Sequence, residues 1–326
     1  MTHHTPSPTF IDTGRTERRE ETKMSASPVP ISIRVDSKTR DKAQALLPAV
    51  EDRPETALER VDPGIYPDLP EPVYRAAPWA PLPSWSSVGK CATDSPLHAR
   101  HAADGQTVET DAMRLGTAIH MAALEPERFA AEYVVPPKVD RRTKAGKAQW
   151  AEWVEAHPSA AHVTAEQHET ATECGEHARA VLDRLLPGWP MAMREASICS
   201  DVFGVRGRAR LDLCEPGEYV IDLKTTHTLT PRHIERACWD RGYAGQLASY
   251  RAMLDCEAST TTPRLGILWV QTTAPRFAAL TWLSDDYQRR ADQMARKAWG
   301  LWVECESAGV WAPPAIPAYI DAPGWA

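Results

Sequence analysis

The stretch from Glu195 to Lys224 limits the possible folds of this chain more than any other. It reads as three strands, 196–203, 205–214 and 219–224, of which the last two are joined by Glu215-Pro216-Gly217-Glu218. A three-residue loop, Pro216-Gly217-Glu218, fits a hairpin and puts Asp212 and Asp222 on the same side of an unbulged pair. Period-two geometry sets Asp222 and Lys224 on one face and Ile221 and Leu223 on the other, and it groups Arg206, Arg208, Arg210 and Asp212 in the same way. Two readings of that face are open. It is the solvated side of a half-exposed hairpin, or it is a site for a divalent cation with oxygen ligands, of the kind Mg²⁺ uses when a phosphate completes its shell.

Around the hairpin the pattern is mixed. Helices are expected over 111–124, stopped by Pro126, over 149–154 and over 165–186. Thr230-Pro231 is an N-cap and first-turn pair for another helix, and a further one covers 243–254. Strands over 264–272 and 276–283 precede a last helix, capped by Ser284 and reaching about Ser307. The order predicts an α/β (mixed α+β) fold with a central mixed sheet flanked by helices. Residues 1–83 hold 13 of the 28 prolines, with one short strand-like run at Ile31–Val35. The expected organisation is a disordered Pro-rich tail over 1–60, a folded domain over 61–308 and a Pro-rich C-terminal tail over 309–326. Met24 offers a second start.

Composition narrows the function classes. Seven scattered cysteines, none in a C-x-x-C pair, read as reduced thiols and argue against structural zinc or an iron–sulfur cluster. With no 18-residue apolar run and no signal-peptide core, the expected location is cytoplasmic, with no membrane contact. The net charge of −7 argues against a protein that coats nucleic acid by broad attraction. The tail does not account for this acidity, because the residues after 83 carry 26 basic against 31 acidic groups. Positive charge gathers at Lys138, Arg141, Arg142, Lys144 and Lys147, and at Arg206, Arg208 and Arg210. These are candidate phosphate contacts, with a solvated loop as the alternative for the first group. Together they predict an acidic exterior with a narrow basic path. Of twelve tryptophans, Trp299 and Trp302 read as core, while Trp85, set between serines, is a candidate wedge or stacking surface.

Read together, the motifs resemble the PD-(D/E)XK nucleases, and within them the phage-type exodeoxyribonuclease VIII (RecE-like) group. The resemblance runs over 62–305, through Gly64-Ile65-Tyr66-Pro67-Asp68-Leu69-Pro70, Ser84-Trp85-Ser86-Ser87 and Ser95-Pro96-Leu97-His98. It continues with Gly116-Thr117-Ala118-Ile119-His120, Arg141 to Lys147, Gly207 to Asp212, Asp222-x-Lys224 and Tyr243-x-x-Gln246-x-x-x-Tyr250. Asp212 stands in Arg-Leu-Asp rather than Pro-Asp.

The resemblance implies a restriction-endonuclease-like core in which Asp212, Asp222 and the Leu223 carbonyl ligate Mg²⁺ or Mn²⁺ and His120 reaches the metal from the side. Lys224 would orient the attacking water and stabilise phosphate charge. Gln246 and Tyr250, four apart on one helix face, would line the site, and Glu195 would support the carboxylate cluster or simply begin a strand. The implied protein is a bacterial or phage-encoded exonuclease acting on linear duplex DNA ends, 5′→3′, forming a homo-oligomeric ring and leaving a 3′ strand for a RecT-like single-strand annealing partner. Three alternatives stay open: an endonuclease or nickase, an inactive DNA-binding recombination accessory protein, and an unrelated metal hydrolase with a small phosphorylated substrate.

Overall fold

A computed structural model describes residues 61–105, 110–158, 161–258 and 263–316. The expected tail over 1–60, Ile31–Val35 included, lies outside them. The chain opens with Gly64–Tyr66 (β1) and four short helices, Glu71–Tyr74 (α1), Trp85–Val88 (α2), Lys90–Thr93 (α3) and Pro96–Ala103 (α4). Then come Asp111–Leu124 (α5), Pro126–Glu132 (α6), Tyr133–Val134 (β2), Lys144–Ala156 (α7), Ala161–His162 (β3) and Ala165–Leu185 (α8). The strand-rich part is Met193–Ser200 (β4), Gly207–Glu215 (β5) and Tyr219–Thr226 (β6), followed by helices Pro231–Asp240 (α9) and Tyr243–Ala258 (α10). Arg264–Gln271 (β7), Ala278–Trp282 (β8) and Asp285–Ala308 (α11) complete it.

Six strands form one mixed sheet in the order β1-β4-β5-β6-β7-β8, antiparallel except for the parallel pair β6/β7. The parallel pair needs a crossover, which α9 and α10 supply. Each face of the sheet is buried under helices, as the near-continuous apolar run of β7 anticipates. Leu265, Ile267 and Trp269 pack with α10 and α11, while Leu268 and Val270 pack with α5 and α8. The helix starts follow local chemistry. Thr110, Thr143, Thr164, Thr230 and Ser284 each accept a hydrogen bond from the backbone N–H three residues on.

The domain does not stop at the end of α11. The N–H of Leu97 donates to the carbonyl of Ala312 (3.0 Å), and Trp311 is buried edge-on against Trp302. Residues 310–312, placed by the sequence in a tail, are docked on the body. All seven cysteines are free thiols, five of them buried. No described helix is long and apolar enough to cross a membrane.

Candidate active site

The hairpin forms in the expected register. Glu215 pairs with Tyr219, Cys214 with Val220 and Leu213 with Ile221. Gly217 takes φ +84°, a left-handed position that a three-residue loop needs and that glycine adopts without strain. Asp212 and Asp222 are next in register, and there the ladder stops. The N–H of Leu223 donates instead to Asp212 Oδ2 at 2.6 Å, so a side chain replaces the main chain as the acceptor.

At the same point β5 changes phase. Ala209, Leu211 and Cys214 belong to the core under α10 and α11, but Leu213 belongs to the core under α5 and α8. A regular strand would keep Leu211 and Leu213 on one face. The common face predicted for Arg206, Arg208, Arg210 and Asp212 holds through Asp212, with Ala209 and Leu211 on the other side, and the slip falls immediately after it, between Asp212 and Leu213. On β4 the facing residue is Glu195, skipped between the Arg194–Leu213 and Ala196–Leu211 pairs. Its φ of +51° is strained for a residue with a side chain, at a cost of about 1–2 kcal/mol. Arg210 holds it there. Its Nε donates to Glu195 Oε2 (2.9 Å), and its Nη1 donates to the Leu69 carbonyl and to Ser197 Oγ (both 3.0 Å).

His120, on α5, reaches the slip from the other side of the sheet, with Nδ1 3.5 Å from Asp212 Oδ2. One ligand atom each from His120, Glu195 and Asp212 lie within 4.8 Å of one another. Asp222, expected beside Asp212 as a ligand, is instead buried behind Lys224, whose Nζ lies 2.6 Å from Asp222 Oδ2. This contact is charge against charge, off the hydrogen-bonding direction, so Oδ2 has no directed donor. Glu195, which the sequence ranks as support, stands at the centre; only the left-handed turn, invisible in the pattern, puts it there. Leu223 donates its N–H to Asp212, and its carbonyl faces the imidazole of His120.

Burial decides the protonation states. It pushes the Asp212 carboxyl up to about 8, helped by the charge of Asp222, and the Glu195 carboxyl up to about 7, helped by Asp212. Burial also lowers the pKa of His120 despite the opposing charge of Glu195, leaving a neutral imidazole with a free lone pair. For Lys224 burial pulls downward, but Asp222 and Asp212 outweigh it, so the ammonium is held above the ordinary lysine value. In this state the raised pKa suits an ammonium that orients and neutralises. Two carboxyls whose burial favours the protonated form, beside a neutral imidazole, suit a divalent cation as donors.

These groups open onto a cleft of about 610 Å³. Gln246 and Tyr250 line it as expected, joined by a hydrogen bond from Gln246 Nε2 to the Tyr250 hydroxyl (2.5 Å). Arg208 and Arg210 also line it but are committed internally, Arg208 to the carbonyls of Tyr74 and Leu82 and to the face of the Tyr74 ring. Arg206 is bound by both carboxylate oxygens of Asp201 and lies outside the cleft lining. Arg141, Arg142, Lys144 and Lys147 lie outside it too: Arg141 stacks on Trp150, and Arg142 pairs with Asp140. Trp85 is no free wedge. It is 7% exposed, with its indole against Gly245, where a Cβ would come within 2.5 Å. Sequence reasoning missed Arg75, Lys90, Arg128 and Arg241, all on the cleft wall, because only the fold brings their segments together.

A family model described as "PDDEXK-like domain of unknown function (DUF3799)" matches residues 85–311. Among solved structures, a "Putative exonuclease" from Eubacterium rectale is 13% identical, with a TM-score of 0.52 over 78% of this chain and 95% of that one. At that identity the likeness is one of fold. No curated protein matches the chain.

Proposed function

Because the chain belongs to the PDDEXK-like family DUF3799, we propose that it is a metal-dependent DNA nuclease that hydrolyses phosphodiester bonds from the ends of linear duplexes. The observation that carries this reading is the convergence of His120, Glu195, Asp212 and the Asp222–Lys224 pair at the floor of one open cleft. When bound, a divalent cation there supplies Lewis-acid polarisation of the phosphate and a more acidic water.

The remaining work falls to the protein. His120, Glu195 and Asp212 would hold the ion, with Asp222 as a further carboxylate behind Lys224. Lys224, its ammonium favoured by the neighbouring carboxylates, neutralises charge on the phosphate and orients the attacking water. Gln246 and Tyr250 position the strand from α10. An imidazole in the donor set favours Mn²⁺ over Mg²⁺ in affinity, and either ion fits the carboxylates.

Exonuclease rather than endonuclease action is supported by the printed name of the structural neighbour and by the resemblance of the motifs to the RecE-like group. The same resemblance supports 5′→3′ polarity, a ring-shaped homo-oligomer, a single-strand annealing partner and a bacterial or phage origin. An inactive accessory protein is disfavoured by the intact set of Asp212, Asp222, Lys224 and His120, which a protein without catalysis has no need to keep. The test is incubation with Mg²⁺ or Mn²⁺ and linear duplexes labelled at each 5′ and 3′ end, beside a closed circle. Release of 5′ label first with the circle intact is expected, and a cut circle would establish an endonuclease. No hydrolysis, or equal hydrolysis by Asp212→Asn, overturns the proposal.

A further inference from the structure

Beside the cleft lies a groove of about 450 Å³, formed by the loop after β6 and the outer face of α9. Arg232, His233 and Arg236 line it together with Arg241, and Arg241 also lines the active-site cleft, so one guanidinium borders both. Ala237 and Cys238 anchor α9 in the core. Arg232 and Arg236, four apart, share the opposite, exposed face.

Arg241 and Arg232 differ from the other cations around the cleft. Arg75, Lys90, Arg128, Arg210 and Lys224 each face a carboxylate of the protein itself, and Arg208 is spent on carbonyls. Arg241 donates only to the Tyr243 hydroxyl (3.4 Å), and Arg232 has no ion-pair partner among the described residues. Arg236 meets Asp240 at 3.4 Å in an exposed pair worth at most about 1 kcal/mol, which a phosphate can displace. His233 is turned inward, to Thr226 Oγ1 at 2.9 Å, and fixes the groove wall. Arg241 and Arg232, with Arg236 in its exposed pair, thus place positive charge in a line running from the cleft onto α9.

We propose that this groove carries the sugar–phosphate backbone of the strand continuous with the scissile phosphate, with Arg241 at the junction and Arg232 and Arg236 as the next contacts. The proposal rests on the nuclease reading and adds to it a path for the substrate. The probe is a fluorescently labelled duplex with a single-stranded overhang, followed by anisotropy in Ca²⁺ across a salt series. Arg232→Ala/Arg236→Ala is expected to weaken binding roughly tenfold and to reduce the slope of log K against log salt by about 1.4 to 1.8, the value for two lost phosphate contacts. Arg232→Lys/Arg236→Lys keeps the charge and restores the slope. Arg289→Ala/Arg290→Ala, on α11 outside both cavities, leaves it unchanged. Unaltered affinity and slope in the alanine pair, with wild-type binding intact, overturn the groove while sparing the nuclease reading. A wild-type protein that neither binds nor cuts DNA overturns both.

Discussion

Lys224 and Asp222 are a buried pair of opposite charges, with side chains 19% and 3% exposed, and each is costly without the other. Asp222→Asn alone should abolish cleavage and lower stability by about 3–5 kcal/mol, read by chemical denaturation, because it strands a buried ammonium. The double change Asp222→Leu/Lys224→Met should recover most of that stability and none of the activity. A second expectation concerns Arg210. Arg210→Lys removes the donors to Glu195, Ser197 and Leu69 and should weaken Mn²⁺ binding by calorimetry about tenfold, while binding of DNA in Ca²⁺ changes little. The closeness of Asp212, Asp222 and Lys224 was legible in strand periodicity, and the place of His120 beside them in the resemblance of the motifs alone. Glu195 was not, since a left-handed residue in a strand is imposed by neighbours far away in the chain.

At the level of elements, the hairpin and the caps at Thr230 and Ser284 were readable because their causes are local: loop length, a glycine, a hydroxyl before a helix. The limits of β5 were less so. The expected strand from Val205 begins at Gly207, because Phe203 and Gly204, with φ of +59° and +83°, first turn the chain. The three-residue β1 carried no periodic signal of its own; it exists because it covers the edge of β4. Close packing also fixes Gly207, where a Cβ would lie 2.6 Å from the fully buried Trp299. Gly207→Ala should cost about 1–3 kcal/mol, visible as a lower denaturation midpoint with an unchanged m-value.

For the whole molecule, the raised carboxyls link stability to pH and to metal. Between about pH 4 and pH 8 the metal-free folded state keeps protons on Asp212 and Glu195 that the unfolded chain has already lost. Stability without metal should therefore fall as pH rises through this window. A bound cation replaces those protons, so the gain in Tm from added Mn²⁺ should be larger at pH 8.5 than at pH 6, the stabilisation behind it reaching about 2.7 kcal/mol at a hundredfold excess over Kd. A Tm gain independent of pH would place the ion elsewhere. The net charge of −7 takes on a different meaning at this scale: acids neutralise most cations near the cleft, and the few left over define where an anion can lie. The phase slip after Asp212 bears on redesign. Copying these catalytic side chains onto an idealised hairpin would fail, because a perfectly alternating strand offers its residues to one layer of helices only. The seam in this sheet lets His120 from one layer and Gln246 and Tyr250 from the other address the same point. A transplant would have to carry the irregular backbone of β4 and β5 as well as the residues.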